Sequence, residues 1–242
     1  MLITQDFTVR VGEKVILKDV TVEFSPGIHV IMGRNGIGKS SFAQGLMGHY
    51  NYTTEGAVEF YGKDLLAMET HDKARAGLFV GFQHPSPVPG LSNFQLMKQA
   101  KQSMGFSISY DIVKELSNFK KLSEELGLPN DWDKRQVNVD SSGGEKKKNE
   151  LIQLGILKPK CAILDEPDSG LDVDGIRSLT THLHNFITED PERILIIITH
   201  YEPLIEKLDI NSTTIISKGG ARQEEGKALA YKVLEEGFEN FV

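Results

Sequence analysis

Cysteine is almost absent from this sequence: Cys161 is the single thiol among 242 residues, so no disulfide can form within the chain. Long apolar segments are absent as well. The longest apolar run, ILIIIT from Ile194 to Thr199, is far too short to span a bilayer, and the opening MLITQDFTVR lacks the apolar segment of a signal peptide. Excess positive charge is also missing, since the formal net charge is -7. We therefore expect a cytoplasmic protein without direct membrane insertion and without bulk attraction to nucleic acid.

The residues that are present are typical of a soluble globular protein, with 39% hydrophobic and 25% charged side chains. Short apolar stretches alternate with helical ones. CAILDE and RILIIITH predict two buried strands, and GIRSLTTHLHNFI between them predicts an amphipathic helix. Strand, helix and strand in this order predict an α/β fold with a parallel sheet.

Other stretches give a coarse map of the remaining chain. Residues 15–32 predict two strands joined at Pro26-Gly27, and further strands are expected within 56–65 and 76–83. HPSPVPGLSN predicts a proline-rich loop, residues 94–126 a helical region with a break near Gly105, and ALAYKVLEEGFENFV a final helix.

The clearest chemical motif is GRNGIGKS, which fits the phosphate-loop pattern GxxxxGK[ST] in full. An apolar strand precedes it and a predicted helix begins at Gly38. Glycines let backbone N–H groups turn toward phosphates, and the helix N-terminus adds partial positive charge. Lys39 is placed to reach the β- and γ-phosphates and Ser40 to bind magnesium. The motif alone does not separate a kinase, a GTPase and an ATPase. The candidate phosphate contacts are Gly33, Arg34, Asn35, Gly36, Ile37, Gly38, Lys39, Ser40 and Ser41.

Polar residues also follow three other apolar strands. In CAILDEP, Asp165 ends a buried strand and is a candidate for the magnesium shell, and Glu166 is expected on the other face, where it could act as a general base toward water. His200 ends the ITH stretch and Gln83 follows LFVGF. Because ligands bind at the carboxyl edge of open α/β sheets, both side chains are candidates for the same site.

A second glycine-rich stretch, SSGGE, lies far downstream of the first. It places Ser142, Gly143 and Gly144 just before a candidate helix, EKKKNELIQLGIL, which would provide another anion-binding helix N-terminus. The first loop already cradles the phosphates of one nucleotide. A second such turn is useful when it contacts the γ-phosphate of a nucleotide held by another copy of the chain.

The ordered motifs GRNGIGKS, FQH, SSGGE, AILDE, SGLD and ITH resemble the ABC-type ATPase domain across essentially the whole chain. That resemblance implies one domain over residues 1–242. Its parallel-sheet nucleotide-binding core and antiparallel β subdomain would take residues 1–84 and 158–242, and its helical subdomain about 85–157. It also implies ATP and Mg²⁺ as ligands and a transient head-to-tail homodimer formed with ATP.

The same resemblance assigns roles to individual residues. Glu166, His200 and Gln83 would serve catalysis, and Ser40, Gln83 and Asp165 would hold Mg²⁺. The signature residues would complete the partner's site in trans, and a further loop would cross the interface. The signature residues are Ser142, Gly143, Gly144 and Glu145, and the interface-loop residues are Ser169, Gly170, Leu171 and Asp172.

The sequence departs from the general family in three places. The signature begins with Ser141 instead of leucine and ends with Glu145 instead of glutamine. The position that usually carries an adenine-stacking aromatic aligns with Val11, and Phe7 is near it but out of place. We therefore expect a weaker hold on adenine, made by apolar contact rather than ring stacking.

Five stretches, SGGEKKKNE, DSGLDVD, THY, PGLSN and VLEEGF, resemble the SufC branch of soluble ABC ATPases, which serves iron–sulfur cluster assembly. This resemblance implies a SufB or SufB–SufD scaffold that is remodelled by ATP-driven dimerisation. Ser141 departs here too, because that branch mostly has an aromatic there. The alternative is the ATPase subunit of an ABC membrane transporter. A chromosome-maintenance or DNA-repair protein is disfavoured because residues 84–140 are too short for a coiled coil.

Three other features are interpreted structurally. Lys146, Lys147 and Lys148 predict a solvated helix face rather than a nucleic-acid patch, since no aromatics are interleaved with them. Cys161 lies in an apolar strand and predicts core packing, because an iron–sulfur cluster needs several thiolates. His182 and His184 are two positions apart on a predicted helix and would not share a face.

Overall fold

The protein is described by a computed structural model that covers residues 1–83, 85–105 and 111–241. His84 of the FQH motif and residues 106–110 of the predicted helical region lie outside the described residues. The strands are β1 (Leu2–Val11), β2 (Lys14–Phe24), β3 (Gly27–Met32), β4 (Thr53–Phe60), β5 (Lys63–Asp64), β6 (Leu78–Gly81), β7 (Val88–Ser92), β8 (Gln136–Val137), β9 (Cys161–Asp165), β10 (Ile194–Ile198), β11 (Ile210–Ser217) and β12 (Gly220–Glu225).

The α-helices occupy both halves of the sequence. They are α1 (Lys39–Met47), α2 (Thr70–Ala76), α3 (Asn93–Ser103), α4 (Ile112–Glu125), α5 (Gly143–Leu157), α6 (Val173–Thr188), α7 (Glu202–Lys207) and α8 (Ala228–Glu236), followed by a short 3-10 helix at Phe238–Phe241. The chain divides into two compact units. The first is Met1–Gln83 with Lys160–Pro167 and Ile187–Val242, and the second is His84–Pro159 with Asp168–Phe186. The subdomain boundaries given above stay a prediction.

The first unit contains a six-stranded sheet in the order β12-β11-β3-β10-β9-β6. Its strands run parallel except for β12, which pairs antiparallel with β11. All five residues of β9 and all five of β10 are buried, as expected for strands covered on both faces. The predicted α/β architecture with a parallel sheet is therefore confirmed.

An antiparallel four-stranded sheet in the order β2-β1-β4-β5 completes the first unit. Its inward side chains share a hydrophobic core with the main sheet and with α1. At the centre of this core the Phe7 and Phe42 rings meet edge to face, with centroids 5.7 Å apart. Such packing fixes the phosphate-loop helix against the antiparallel sheet.

The second unit contains helices α3 to α5, most of α6, and the β7–β8 ribbon. Side chains cap the N-termini of two helices in this unit. Ser92 forms a capping box with Gln95 at the start of α3, and the Asp111 side chain accepts from the first-turn N–H groups of α4. The fully buried Trp132 and Phe119 anchor its core.

Local expectations differ from the structure at β7 and at Lys147. The predicted loop HPSPVPGLSN contains the strand β7, which pairs with β8. The solvated face predicted for the three lysines is wrong at Lys147, which is 5% exposed and pairs with Glu150 at 3.4 Å between Nζ and Oε2. Charge alone gave no sign that one lysine of the run turns inward.

Candidate nucleotide site

The phosphate loop lies between the end of β3 and the start of α1, as the motif predicts. Gly38 caps the helix with a φ of 111°, and a Cβ atom there would lie 2.8 Å from Cδ2 of Leu17. A Cβ atom at Gly33 would lie 2.7 Å from the carbonyl oxygen of Ile216. Both positions therefore need glycine, one for its backbone angle and both for close approach. Arg34, Asn35 and Gly36 at the tip are exposed.

Lys39 is buried at the base of this loop. Its Nζ donates to the carbonyl oxygens of Gly33 at 2.8 Å and Arg34 at 3.1 Å. Burial lowers the pKa of Lys39, and the negative charges of Glu166 and Asp165 act in the opposite direction. The loop lysine and the strand-end carboxylates therefore share one electrostatic environment.

Three neighbouring strands bring the polar residues to one sheet edge. Ile198 at the end of β10 lies opposite Asp165 of β9 on one side and Ile31 of β3 on the other. Asp165 is 4% exposed at this edge. Since parallel strands present their carboxyl ends together, the phosphate loop and Asp165 face the same region of the first unit.

Glu166 lies one residue beyond β9 and has an unusual backbone. Its φ is 47°, a left-handed conformation rare for a side chain of this size, and its N–H donates to the carbonyl oxygen of Ile198 at 2.9 Å. The expectation that Glu166 points to the opposite face assumed continued strand alternation, which ends at Asp165. Its direction follows instead from Gln83, whose Nε2 donates to Oε2 of Glu166 at 2.6 Å.

His200 follows the end of β10 on the same edge. Thr199 is buried and its N–H donates to the carbonyl oxygen of Ile31 at 3.3 Å, and His200 itself is exposed. The first unit thus brings together the loop, Asp165, Glu166 and Gln83, with His200 beside them on an open rim.

The signature residues form the N-terminus of α5 in the second unit. Ser142 caps the helix, its Oγ accepting from the Glu145 N–H at 3.2 Å, and Oε2 of Glu145 accepts from the Ser142 N–H at 2.8 Å. The pKa of the Glu145 carboxyl is lowered, mainly by this backbone hydrogen bond. The helix begins at Gly143, two residues earlier than expected. The S-x-x-E spacing from Ser142 to Glu145 is typical of a capping box, so the sequence did contain a signal for the earlier helix start. The same capping box gives a structural reason for glutamate at the last signature position.

The loop Ser169–Asp172 lies beside the signature turn within the second unit. A Cβ atom at Gly144 would be 3.1 Å from the carbonyl oxygen of Gly170. The Asp172 side chain accepts from the Gly175 N–H at 2.8 Å, which caps the start of α6. These two predicted segments are therefore adjacent, and the exposed Ser169, Gly170 and Gly143 are open to a partner.

The candidate magnesium ligands of this chain are a few oxygen donors and not a complete protein coordination shell. Among residues 1–83, 85–105 and 111–241 there is no cluster of three or more His, Cys, Asp or Glu side chains suited to a metal. Asp165, Ser40 and Gln83 offer a carboxylate, a hydroxyl and an amide oxygen. Hard oxygen donors in small number fit Mg²⁺, which keeps waters and takes substrate phosphates as its other ligands.

Comparison with known proteins agrees with this arrangement. The family described as "ABC transporter" matches residues 17–169. The chain belongs to the ABC family of ATPases. This ABC ATPase is 36% identical to "Probable ATP-dependent transporter SufC" of Escherichia coli K12 over 244 aligned residues, covering 98% of this chain and 97% of that protein. It is 35% identical to "Vegetative protein 296" of Bacillus subtilis, covering 98% and 92% of the two chains.

Solved structures place the ABC ATPase in the same fold class. An ATP-binding cassette of an ABC transporter superposes with a TM-score of 0.77 at 22% identity, covering 100% of this chain and 98% of the other. A dimeric cassette bound to ADP and Pi gives 0.76 at 19% identity, covering 93% and 98%. The predicted ABC-type ATPase similar to SufC is thereby confirmed, and the protein is an ATP-hydrolysing enzyme. Across the described ranges, no helix is both long and apolar enough to cross a membrane.

Proposed function

We propose that this ABC ATPase is the ATP-hydrolysing subunit of an iron–sulfur cluster assembly scaffold, and that ATP-dependent dimerisation drives a conformational change in a SufB/SufD-type partner. The observation that carries the proposal is 36% identity across nearly the full length of a protein named SufC. The SGGEKKKNE and DSGLDVD segments support it, because they resemble the SufC branch.

Nucleotide binding is assigned to the first unit. Backbone N–H groups of the loop residues 33–41 would hold the phosphates, assisted by the α1 N-terminus. Lys39 would exchange its two carbonyl acceptors for phosphate oxygens, which are stronger acceptors for an ammonium. Ser40, Gln83 and Asp165 would hold Mg²⁺, which when bound neutralises phosphate charge and orients the terminal phosphate.

Hydrolysis is assigned to Glu166 and His200. A water oxygen would attack the γ-phosphorus while a Glu166 oxygen takes the water proton, and the bond to the ADP oxygen breaks. The strained backbone at Glu166 and the bond from Gln83 hold this carboxylate in one orientation before ATP arrives. The exposed His200 would contact the γ-phosphate and the attacking water.

The signature turn is assigned a role in trans. Ser142 to Glu145 would close over ATP held by the phosphate loop of a second copy, with Ser169 to Asp172 crossing the interface. The α5 N-terminus would then present its N–H groups to the γ-phosphate in a site shielded from water, where such dipoles act most strongly. Cytoplasmic location and the absence of nucleic acid as a partner belong to the same proposal.

A second candidate is the ATPase subunit of a membrane transporter. The observation in its favour is the word "transporter" in the name of the E. coli relative. The two functions differ in the partner that the ATPase binds. Affinity purification of the tagged chain from native extract therefore tests them. We expect a soluble SufB/SufD-like scaffold; co-purification of an integral membrane subunit in its place would contradict the assembly role.

A further inference from the structure

The second unit contains a cleft of about 250 Å³ that the nucleotide chemistry does not use, and we name it the Asp133 cleft. It lies along α4 and the segment that follows this helix. Its volume is below the range of about 300–1,000 Å³ that is usual for drug-sized ligands, so it fits a small molecule or a single side chain. The lining residues that matter here are Lys120, Ser123 and Glu124 of α4, and Leu128, Trp132 and Asp133 after it.

Asp133 is the residue of this cleft whose hydrogen bonding is incomplete. It is 7% exposed, and its Oδ1 has no hydrogen-bond partner within residues 1–83, 85–105 and 111–241. Arg135, two positions further on, is already paired with Asp131 at 3.0 Å between Nε and Oδ1. A buried acceptor without a partner needs an explanation, and an unpaired carboxylate is more costly to bury than a neutral group. The Asp133 carboxyl is therefore suited to a cation that a ligand supplies.

Two other side chains of the cleft have already used their hydrogen-bond donors. The Ser123 hydroxyl donates to the carbonyl oxygen of Phe119 at 2.8 Å, so its Oγ remains only as an acceptor. The indole N–H of Trp132 donates to Oδ1 of Asn149 at 3.0 Å. Glu124 adds an exposed carboxylate, which also accepts. These groups match a ligand that donates hydrogen bonds better than one that accepts them.

The balance of charge distinguishes this cleft from a neighbouring one. Asp133 also lines a larger cleft of about 440 Å³, in which the other charged lining residue is Lys134. The Asp133 cleft has two carboxylates, those of Asp133 and Glu124, and one ammonium, that of Lys120. Negative charge is thus in excess beside α4 and balanced in the larger cleft. A positively charged ligand is therefore favoured in the Asp133 cleft.

We propose that the Asp133 cleft is a binding site for a small organic cation that carries N–H donors, namely a guanidinium or a primary ammonium group. This group would pair with the Asp133 carboxyl and donate further hydrogen bonds to Ser123 Oγ and to Glu124. Hydrogen bonds between ionised groups are short and strong, and a guanidinium can make two of them to one carboxylate. The site does not depend on the proposed function, which can fail without affecting it.

A metal ion fits this cleft less well than an organic cation. Two carboxylates are few ligands for a metal held by protein, and the part of the chain that the structure describes has no group of three or more His, Cys, Asp or Glu side chains suited to one. The apolar wall formed by Leu128 and Trp132 suits the carbon atoms of an organic ligand.

The first experiment compares three probe cations on the unmodified chain at constant ionic strength. Ethylguanidinium and ethylammonium carry N–H donors, whereas tetramethylammonium has the same charge and none. Trp132 is the only tryptophan and lines the cleft, so its emission reports occupancy. We expect both N–H probes to change this emission saturably and to raise the thermal midpoint, because a ligand of the folded state stabilises it. Tetramethylammonium should do neither.

The second experiment removes the charge and keeps the size of the side chain. In Asp133→Asn the affinity for ethylguanidinium should fall by about 10-fold or more, because a hydrogen bond to a charged group is lost. Asp131→Asn is the matched control, at a carboxyl that is 60% exposed and outside the cleft lining, and it should bind as the wild type does. Without a probe, Asp133→Asn should melt no lower than the wild type, because an unpaired buried charge has been removed.

A capped tripeptide with a central arginine distinguishes two sources of the cation. Binding as tight as that of ethylguanidinium would assign the cleft to an arginine side chain of a partner protein, and binding of the free probes alone would assign it to a small molecule. Either result supports the proposal. It is overturned if neither N–H probe gives a saturable response, if tetramethylammonium responds equally, or if a folded Asp133→Asn variant keeps its affinity. The first two outcomes are read on the wild type, so they do not depend on the folding of a variant.

Discussion

Nε2 of Gln83 donates to Oε2 of Glu166 at 2.6 Å, joining the end of β6 to the residue after β9. The bond holds one carboxylate oxygen of Glu166, so its other oxygen is the one we assign to the attacking water. In the proposed function Gln83 therefore has two possible partners, Glu166 and the Mg²⁺ ion bound to the terminal phosphate. A change at either residue is therefore expected to alter hydrolysis before it alters binding.

Replacement of Glu166 by glutamine should separate binding from chemistry. We expect ATP affinity to stay within about 3-fold, while turnover falls by about 100-fold or more, which is the usual contribution of a positioned base. The variant should also accumulate an ATP-bound dimer. Steady-state hydrolysis and size-exclusion chromatography with ATP measure the two effects. Glu206→Gln, at an exposed glutamate, is the control; normal turnover in Glu166→Gln would remove Glu166 from the mechanism.

Removal of the loop ammonium should weaken ATP binding and abolish hydrolysis. In Lys39→Ala the phosphates lose the buried ammonium at the base of the loop, which is placed to meet the β- and γ-phosphates, and hydrolysis should drop below detection. Lys18→Ala, at a lysine whose side chain is 66% exposed, is the matched control and should keep full activity. Fluorescent-ATP titration and phosphate release measure the outcome. Activity in Lys39→Ala equal to that of the control would contradict the assignment of the loop.

A carboxylate in the signature turn should repel the partner's γ-phosphate. A Cβ atom at Gly143 meets nothing within 4 Å, so Gly143→Asp introduces charge without a clash. We expect loss of hydrolysis with normal thermal stability. Gly219→Asp is the control, because that glycine is equally open and lies in the β11–β12 turn. Mixing Gly143→Asp with Lys39→Ala should restore part of the activity, since one of the two sites in the mixed dimer carries neither change.

One outcome would contradict the role of the signature turn in trans. If Gly143→Asp keeps full activity in the presence of the partner scaffold, the signature turn takes no part in the chemistry.

An added aromatic should strengthen the hold on adenine. Val11 ends β1 and is 43% exposed, whereas Phe7 is buried against Phe42 and has no free face for a base. Because base–aromatic stacking contributes about 1–3 kcal/mol, Val11→Tyr should tighten ATP binding by about 10-fold or more. Val113→Tyr, at an exposed valine of α4, is the control. Equal affinity of Val11→Tyr and wild type, by calorimetry, would place the adenine elsewhere.

Stability should fall in mild acid because of His29. This side chain is buried, bonded to Ser212 Oγ and to the Ser25 carbonyl oxygen at 2.7 Å each, and its pKa is lowered, chiefly by burial. The folded pKa is below the unfolded value of 6.5, so the unfolded chain binds more protons as pH falls through that value. The contribution of neutral His29 to the free energy of unfolding is therefore fully present above pH 6.5. Below pH 6.5 it decreases by up to about 1.4 kcal/mol per pH unit.

Urea unfolding between pH 5 and 8 measures this effect. His29→Gln is expected to be less stable at neutral pH but to lose less stability on acidification, so the two curves should converge as pH falls. Parallel curves would assign the acid sensitivity to other groups.

The parts of the fold that depend on local signals could be predicted from the sequence. The helix α1, begun and closed by Gly38 and Gly48, and the buried strands β9 and β10 have the expected bounds to within about two residues. No local sequence pattern indicated the strand β1. Its backbone departs from the pleat at Asp6, where φ is 50°, and the register shifts between Thr4 and Phe7, so apolar residues do not alternate regularly.

The features that sequence could not supply are those created by pairing at a distance. β7 contains Pro89 and is a strand only because β8 pairs with it in a two-stranded ribbon. Lys147 is a local case, because its partner Glu150 is only three residues further along α5; the sequence shows that spacing but not that the pair is buried. The Gln83–Glu166 bond joins residues 83 positions apart. No local pattern encodes such a contact, although the motif order indicated that both residues belong to one site.

The burial of Cys161 determines how this protein would react with iron, sulfide and oxidants. Its thiol is wholly buried in β9, and burial raises its pKa to about 12. Iron and sulfide are captured by accessible thiolates, and this chain offers none, because its only sulfhydryl stays protonated and enclosed. In the proposed assembly role, this chain would therefore act on its scaffold without drawing metal or sulfur away from it, and oxidants that damage exposed cysteines have no thiol to attack in it.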